Sequence, residues 1–192
     1  MAPGVLGSQV TGDGTVPVLR GEVVILDAFR TEDAAAHLAG EDEEMARRFG
    51  WWPKGSTLET VLPYFDRCAA DWREHGPTRA FAVRDGVTGD LVGSAELRIR
   101  ADGSGEVSYS THTGKRRRGY ARHALALLCE YAATLGVAPL EAHVAVDNHA
   151  SRRIAEACGF SETGTITGEG ELRIRYLREK PRLPRSRQGI DR

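Results

Sequence analysis

The chain has 192 residues, 41% of them hydrophobic and 28% charged, with a formal net charge of −1; this is the make-up of one folded domain and lacks the overall basic excess of a nucleic-acid-binding protein. Cys68, Cys129 and Cys158 are widely spaced, odd in number and form no CxxC pair, and the six histidines are scattered, so neither a disulfide framework nor a metal site is expected and a reducing compartment fits. No apolar run approaches a membrane span and no basic-then-apolar leader opens the chain, so a cytoplasmic protein with no membrane contact is expected.

Residues 1–18 are rich in Gly, Pro, Ser and Thr with little periodicity, the pattern of a flexible tail, and the domain is placed at 19–180. Residues 23–26 read as a buried strand, and Thr31, Glu32 and Asp33 supply a capping hydroxyl and early acids for a helix to about Ala39. A second short helix is expected within 42–49, after the acidic run 41–44. Pro53 and Gly55 then break the pattern beside Trp51 and Trp52. Both rings are candidates for lining an acceptor pocket, and packing of the loop onto the core is the alternative. Ser56 or Thr57 caps a long helix to about His75, with Leu58, Val61, Leu62, Phe65, Cys68, Ala69 and Trp72 on its inner stripe and Pro63 as a possible kink.

Strands at 80–83, 91–99 and 106–111 form an antiparallel meander through turns rich in Asp and Gly. A helix over 120–135 buries Ala124, Leu125, Leu128, Tyr131, Ala132 and Leu135 and ends at Gly136. A strand at 140–146, a helix capped by Asn148 and stopped by Gly159, and a hairpin of strands at 162–166 and 172–177 complete the domain. Residues 181–192 are a basic tail. The order gives an α/β fold with a mixed, mostly antiparallel sheet of about seven strands.

Function concentrates in residues 107–121, where a strand enters a basic, Gly-punctuated turn and leads into a helix. A helix start leaves backbone N–H groups unpaired and carries partial positive charge, so such a turn can hold phosphate oxygens. Gly119 and Ala121 permit close approach, and Lys115, Arg116, Arg117 and Arg118 attract a polyanion. For the basic run by itself, a solvated loop or a nucleic-acid patch are the competing readings.

Arg116, Gly119 and Ala121 match the three fixed positions of the Arg/Gln-x-x-Gly-x-Gly/Ala motif, and Asn148, Ser151 and 158–160 follow downstream. In these features, and in the strand 106–109, the chain resembles the GCN5-related N-acetyltransferase superfamily and its RimJ/RimL-like branch. The resemblance implies a single domain with a twisted sheet, helices on both faces, and a splay between the fourth and fifth strands of the predicted order, 106–111 and 140–146. It implies acetyl-CoA as co-substrate, without a metal. The pyrophosphate would rest on the amides of Arg117, Arg118, Gly119, Tyr120 and Ala121 beside Arg116, and the pantetheine arm would pair near Tyr109, Thr111 and Thr113, with Asn148 and Ser151 as further cofactor contacts. An amide near Thr111 would hold the oxyanion.

Direct attack by a primary amine in a ternary complex needs a proton acceptor, for which Glu106 is the first candidate and Glu96 the second; either can instead be an exposed strand carboxylate. Strand parity puts Glu106, Ser108 and Ser110 on one face. Many members carry a tyrosine as general acid where this chain has Ala155, so Ser151, water or no donor are the options for the departing thiolate. The acceptor is a peptide or protein N-terminus or a small-molecule amine, and the protein a monomer or homodimer. A non-catalytic acyl-CoA-binding module is the alternative, with nucleic-acid binding by the arginine cluster after it.

Overall fold

The computed structural model describes residues 14–51, 53–168 and 171–179. The chain runs through strands β1 (Leu19–Arg20) and β2 (Val24–Asp27), helices α1 (Asp33–Gly40), α2 (Glu43–Arg48) and α3 (Leu58–Arg73), and strands β3 (Thr78–Asp85), β4 (Leu91–Ile99) and β5 (Gly105–Thr111). A short 3-10 turn, Thr113–Lys115, leads to helix α4 (Tyr120–Thr134), strand β6 (Leu140–Ala145), helix α5 (His149–Ala157) and the strand pair β7 (Ser161–Gly168) and β8 (Glu171–Arg178).

One eight-stranded sheet results, in the order β1-β2-β3-β4-β5-β6-β8-β7. The eighth strand beyond the seven expected is β1, a two-residue segment too short to leave a sequence period. Every neighbouring pair is antiparallel except β5 and β6.

Alternation along the strands sorts the two faces. Phe81 and Val83 of β3, Ala95 and Leu97 of β4, Val107 and Tyr109 of β5, Ala142 and Val144 of β6 and Ile174 and Tyr176 of β8 belong to the main core, together with Ala124, Leu125, Leu128 and Ala132 of α4 and Ala155 of α5. Helices α1 and α3 pack against the opposite face, over β4 and β3. There Ala34, Val61 and Phe65 form a second core with Phe29, Leu38, Leu62 and Tyr64 around it.

Two expectations for the helix starts change. Thr31 does not cap α1; the Asp33 carboxylate instead accepts from the Arg30 amide at 2.8 Å and holds Arg84 at 2.7 Å. Helix α3 passes through Pro63 without interruption, and its inner stripe is Val61, Phe65, Cys68 and Trp72, while Leu58 and Ala69 face solvent. Residues 14–18 have no regular structure, and Val16 packs against the main core. The tail calls for 1–13 and 181–192, and the turn at Glu169 and Gly170, lie outside the described residues.

Candidate active site at the split between two strands

Strands β5 and β6 pair in parallel through two residues, Gly105 with Leu140 and Glu106 with Glu141. Beyond Glu106 that pairing stops, while β5 keeps its other partner, β4, as far as Thr111 and β6 keeps β8. The sheet is therefore open along one line, between the C-terminal halves of β5 and β6. The closed end is tied by charge: Glu106 pairs with Arg100 at 2.8 Å and lies 3.5 Å from His143, and Glu141 pairs with Arg175 at 2.6 Å and with His143.

At the open end β5 runs into the basic turn. Arg117 (φ +63°) and Gly119 (φ +83°) are left-handed, a conformation that glycine adopts freely and that costs arginine about a kcal/mol. Left-handed residues in close succession aim consecutive N–H groups into a concave nest. Among the described residues, no backbone acceptor meets the amides of Arg117, Arg118 or Gly119 before α4 begins at Tyr120. The residues present thus fit an anionic diphosphate. Behind the turn lies a groove of about 270 Å³ lined by Arg122, His123, Cys158 and Arg178, which the sequence does not announce because it joins the start of α4 to the ends of α5 and β8.

Two predicted cofactor contacts meet on the α4/α5 side of the gap. The Tyr109 phenol lies 2.7 Å from the Ser151 hydroxyl and donates to the Ser151 carbonyl at 3.2 Å, and Asn148 caps α5 by accepting from the Ser151 amide at 3.0 Å. Burial, against the Ser151 hydrogen bond, pushes the Tyr109 phenol up to about 12, so it stays protonated. Ala155, one turn further along α5, is fully buried. Thr111 carries a buried hydroxyl without a hydrogen-bond partner.

The two glutamates lie on the other face. β4 and β5 pair without a bulge, so Glu96 stands opposite Ser108 and Ser94 opposite Ser110, whose hydroxyls are 2.8 Å apart. Glu106 belongs to the closed end and its ion pairs. Glu96 lies one position toward the open end, 3.6 Å from Arg98, and its carboxyl is raised above the usual range, first by burial and then by Asp71 and Glu106, against the opposing Arg98.

Arg116 departs from expectation. Its guanidinium does not turn into the phosphate turn; Asp42 and Glu44 hold it at 2.8 and 3.0 Å. Trp51 stacks on Phe49 with 5.2 Å between ring centroids, and its indole N–H is buried without a partner. Trp52 lies outside the described residues. Among those residues no group of His, Cys, Asp or Glu is arranged to hold a metal ion, and no helix is long and apolar enough to cross a membrane.

A sheet split beside an anion-receiving turn defines the class that the motifs implied, an acetyl-CoA-dependent N-acetyltransferase. A family model described as an acetyltransferase (GNAT) domain matches residues 24–161, and the chain belongs to that family. Similar solved structures include RimL, a ribosomal L7/L12 alpha-N-protein acetyltransferase in complex with coenzyme A (14% identity, 84% of this chain and 97% of that one, TM-score 0.74). RimJ of Mycobacterium smegmatis in complex with CoA-disulfide is similar over 91% of both chains at 21% identity, TM-score 0.68. A third is a chimera of the spermidine N-acetyltransferase SpeG from Vibrio cholerae and hSSAT (22% identity, 81% and 95%, TM-score 0.67). No curated protein sequence matches the chain.

Proposed function

We propose that this protein is a RimJ/RimL-like enzyme that moves the acetyl group of acetyl-CoA to a primary amine, a peptide or protein N-terminus or a small-molecule amine, by direct attack across the split sheet. The observation that carries this reading is the distribution of candidate groups over the two faces: the carboxylates stand on the α1/α3 side, the Tyr109–Ser151 pair on the α4/α5 side, and the gap between β5 and β6 joins them.

When bound, acetyl-CoA supplies the thioester carbonyl as electrophile. The amides of residues 117–121 would receive the pyrophosphate, and the pantetheine arm would take the place of the missing strand partner beside the open backbone near Tyr109, Thr111 and Thr113, with Asn148 and Ser151 flanking it. Arg122 and His123, in the first turn of α4, line the groove behind the turn and would meet the remaining phosphate of the nucleotide.

An α-amino group has an ordinary pKa near 8, and burial raises the Glu96 carboxyl toward that value, while Glu106 is engaged by Arg100 and His143 at the closed end; this favours Glu96 as proton acceptor. On the opposite side Ser151 donates to the departing thiolate once the Tyr109 phenol turns its O–H from the Ser151 carbonyl to the Ser151 hydroxyl oxygen, 2.7 Å away; the phenol stands one helical turn from the position where Ala155 leaves no hydroxyl. Splitting acceptor and donor of protons between two faces suits a ternary complex, because the amine enters from one side as the thiolate leaves on the other.

The NH of Trp51, lacking a partner, and the Phe49–Trp51 stack support an acceptor pocket beside α2. Cytoplasmic residence accords with three cysteines that remain thiols. The test is an amine screen read by mass spectrometry and CoA release. Acetylated product with an N-terminal peptide or a polyamine is expected; tight acetyl-CoA binding with no turnover on any amine would leave a binding module.

A further inference from the structure

Helix α2 has six residues and is about 9 Å long. Both of its ends are fastened to the lips of the split. At the first end Asp42 caps the helix by accepting from the Met45 amide at 2.8 Å, takes a hydrogen bond from the Thr113 side chain, and binds Arg116, which also reaches Glu44. Thr113 and Arg116 belong to the turn that continues β5. At the other end Arg48 grips Asp147 with two nitrogens, the second at 3.1 Å, and its carbonyl accepts from Arg173 of β8 at 3.4 Å. Asp147 lies in the junction that continues β6. The helix therefore spans the gap where β5 and β6 have diverged.

We propose that α2 is a clamp across the acceptor side of the split and that Arg116, the fixed arginine of the phosphate motif, is a positioning residue for the acceptor rather than a ligand of the donor's pyrophosphate. This rests on the acetyl-transfer reading above. Two carboxylates already hold both terminal nitrogens of the guanidinium and offset the charge it could offer an anionic diphosphate. The backbone nest formed by Arg117 and Gly119 binds the diphosphate without it. Asp147 is the second anchor, so neutralising either anchor should loosen the same helix and act on the same substrate.

The test compares Arg116→Gln, Asp147→Asn and the double variant Asp42→Asn/Glu44→Gln with the unaltered protein. Acetyl-CoA affinity is measured by calorimetry, Michaelis constants with spermidine and with a hexapeptide bearing a free N-terminal Ser, and hydrogen exchange of the amides of residues 43–48. The expected result is a rise of about tenfold in acceptor KM, an acetyl-CoA Kd within twofold, and faster exchange in α2 for all three variants. Because exchange and donor affinity need no turnover, they still decide the proposal if the unaltered protein acetylates neither probe, an outcome that would count against the transfer reading instead. A tenfold loss of acetyl-CoA affinity in Arg116→Gln with exchange in α2 unchanged would overturn the clamp and return Arg116 to the pyrophosphate.

Discussion

At the scale of single residues, environment separates groups that look alike in the chain. Glu96 and Glu106 are both strand glutamates on the same face, yet one is desolvated by burial and the other is ion-paired with Arg100 at the closed end. Glu96→Gln should lower kcat by about a hundredfold, the low end of what a positioned base contributes, with a smaller loss for Glu106→Gln. Because its carboxyl is raised, the acid limb of the kcat/KM profile in the unaltered enzyme should lie above the ordinary glutamate range, and activity falls as pH drops through it. Tyr109→Phe removes the phenol that contacts both the hydroxyl and the carbonyl of Ser151 and should cost about tenfold in kcat, near the 1.4 kcal/mol of one such bond, with donor affinity kept.

His112 shows the opposite kind of shift. Burial, then the neighbouring His37 and Lys115, push its imidazole down to about 4. The folded value lies below the unfolded one, so the contribution of neutral His112 to stability is complete above pH 6.5 and is lost as pH falls toward 4. Melting curves at pH 7 and pH 5 should show that loss, and His112→Phe should reduce it. The same ring explains Gly40: a Cβ there would lie 2.1 Å from the His112 ring, so Gly40→Ala should destabilise by about 1–3 kcal/mol in urea titrations.

At the scale of elements, hydrophobic period and capping residues carried most of the fold. Helix α4 and the burial of Leu125 and Leu128 follow from a 3.6-residue repeat, and Asn148 caps α5 as its sequence position requires. The turn before α4 was legible because its conformation is local, set by Gly119 and the helix behind it. What the sequence could not show depends on distant partners. The fastening of α2 joins Arg48 to a residue 99 positions away. The buried Arg84 joins β3 to Asp27 at 2.6 Å and to Asp33 at 2.7 Å, where a lone strand arginine reads as solvent-exposed. Burial opposes the Asp33 charge, but the Arg84 hydrogen bond and the Arg30 amide hold its carboxyl below the ordinary range. Arg84→Met leaves two buried carboxylates to Arg30, at 2.6 Å from Asp27 and through its amide at 2.8 Å from Asp33, and should cost about 3 kcal/mol, measured by denaturant unfolding.

At the scale of the whole molecule, β1 to β5 and β6 to β8 are two half-sheets joined through two paired residues and held together by α4, α5 and the charged group around Glu141. Acetyl-CoA lying in the opening would touch both halves. At a hundredfold excess over Kd a ligand adds about 2.7 kcal/mol, which for a domain of this size raises the melting temperature by about 5–10 °C. Calorimetry with acetyl-CoA should show this shift, and Gly119→Val, which cannot hold the left-handed turn, should abolish it.

The opening between β5 and β6 also has a bearing on self-association. Sheet edges with unpaired N–H and C=O groups are templates for foreign strands, and proteins usually shield them with bulges, charge or a covering element. Here two such edges face each other inside the sheet, lined on one side by Val107, Tyr109 and Thr111, and the short helix α2 reaches across their open end. Occupancy by the donor would then act as a solubility device as well as a catalytic one. Light scattering during slow heating should rise earlier for the protein alone than for the protein saturated with acetyl-CoA.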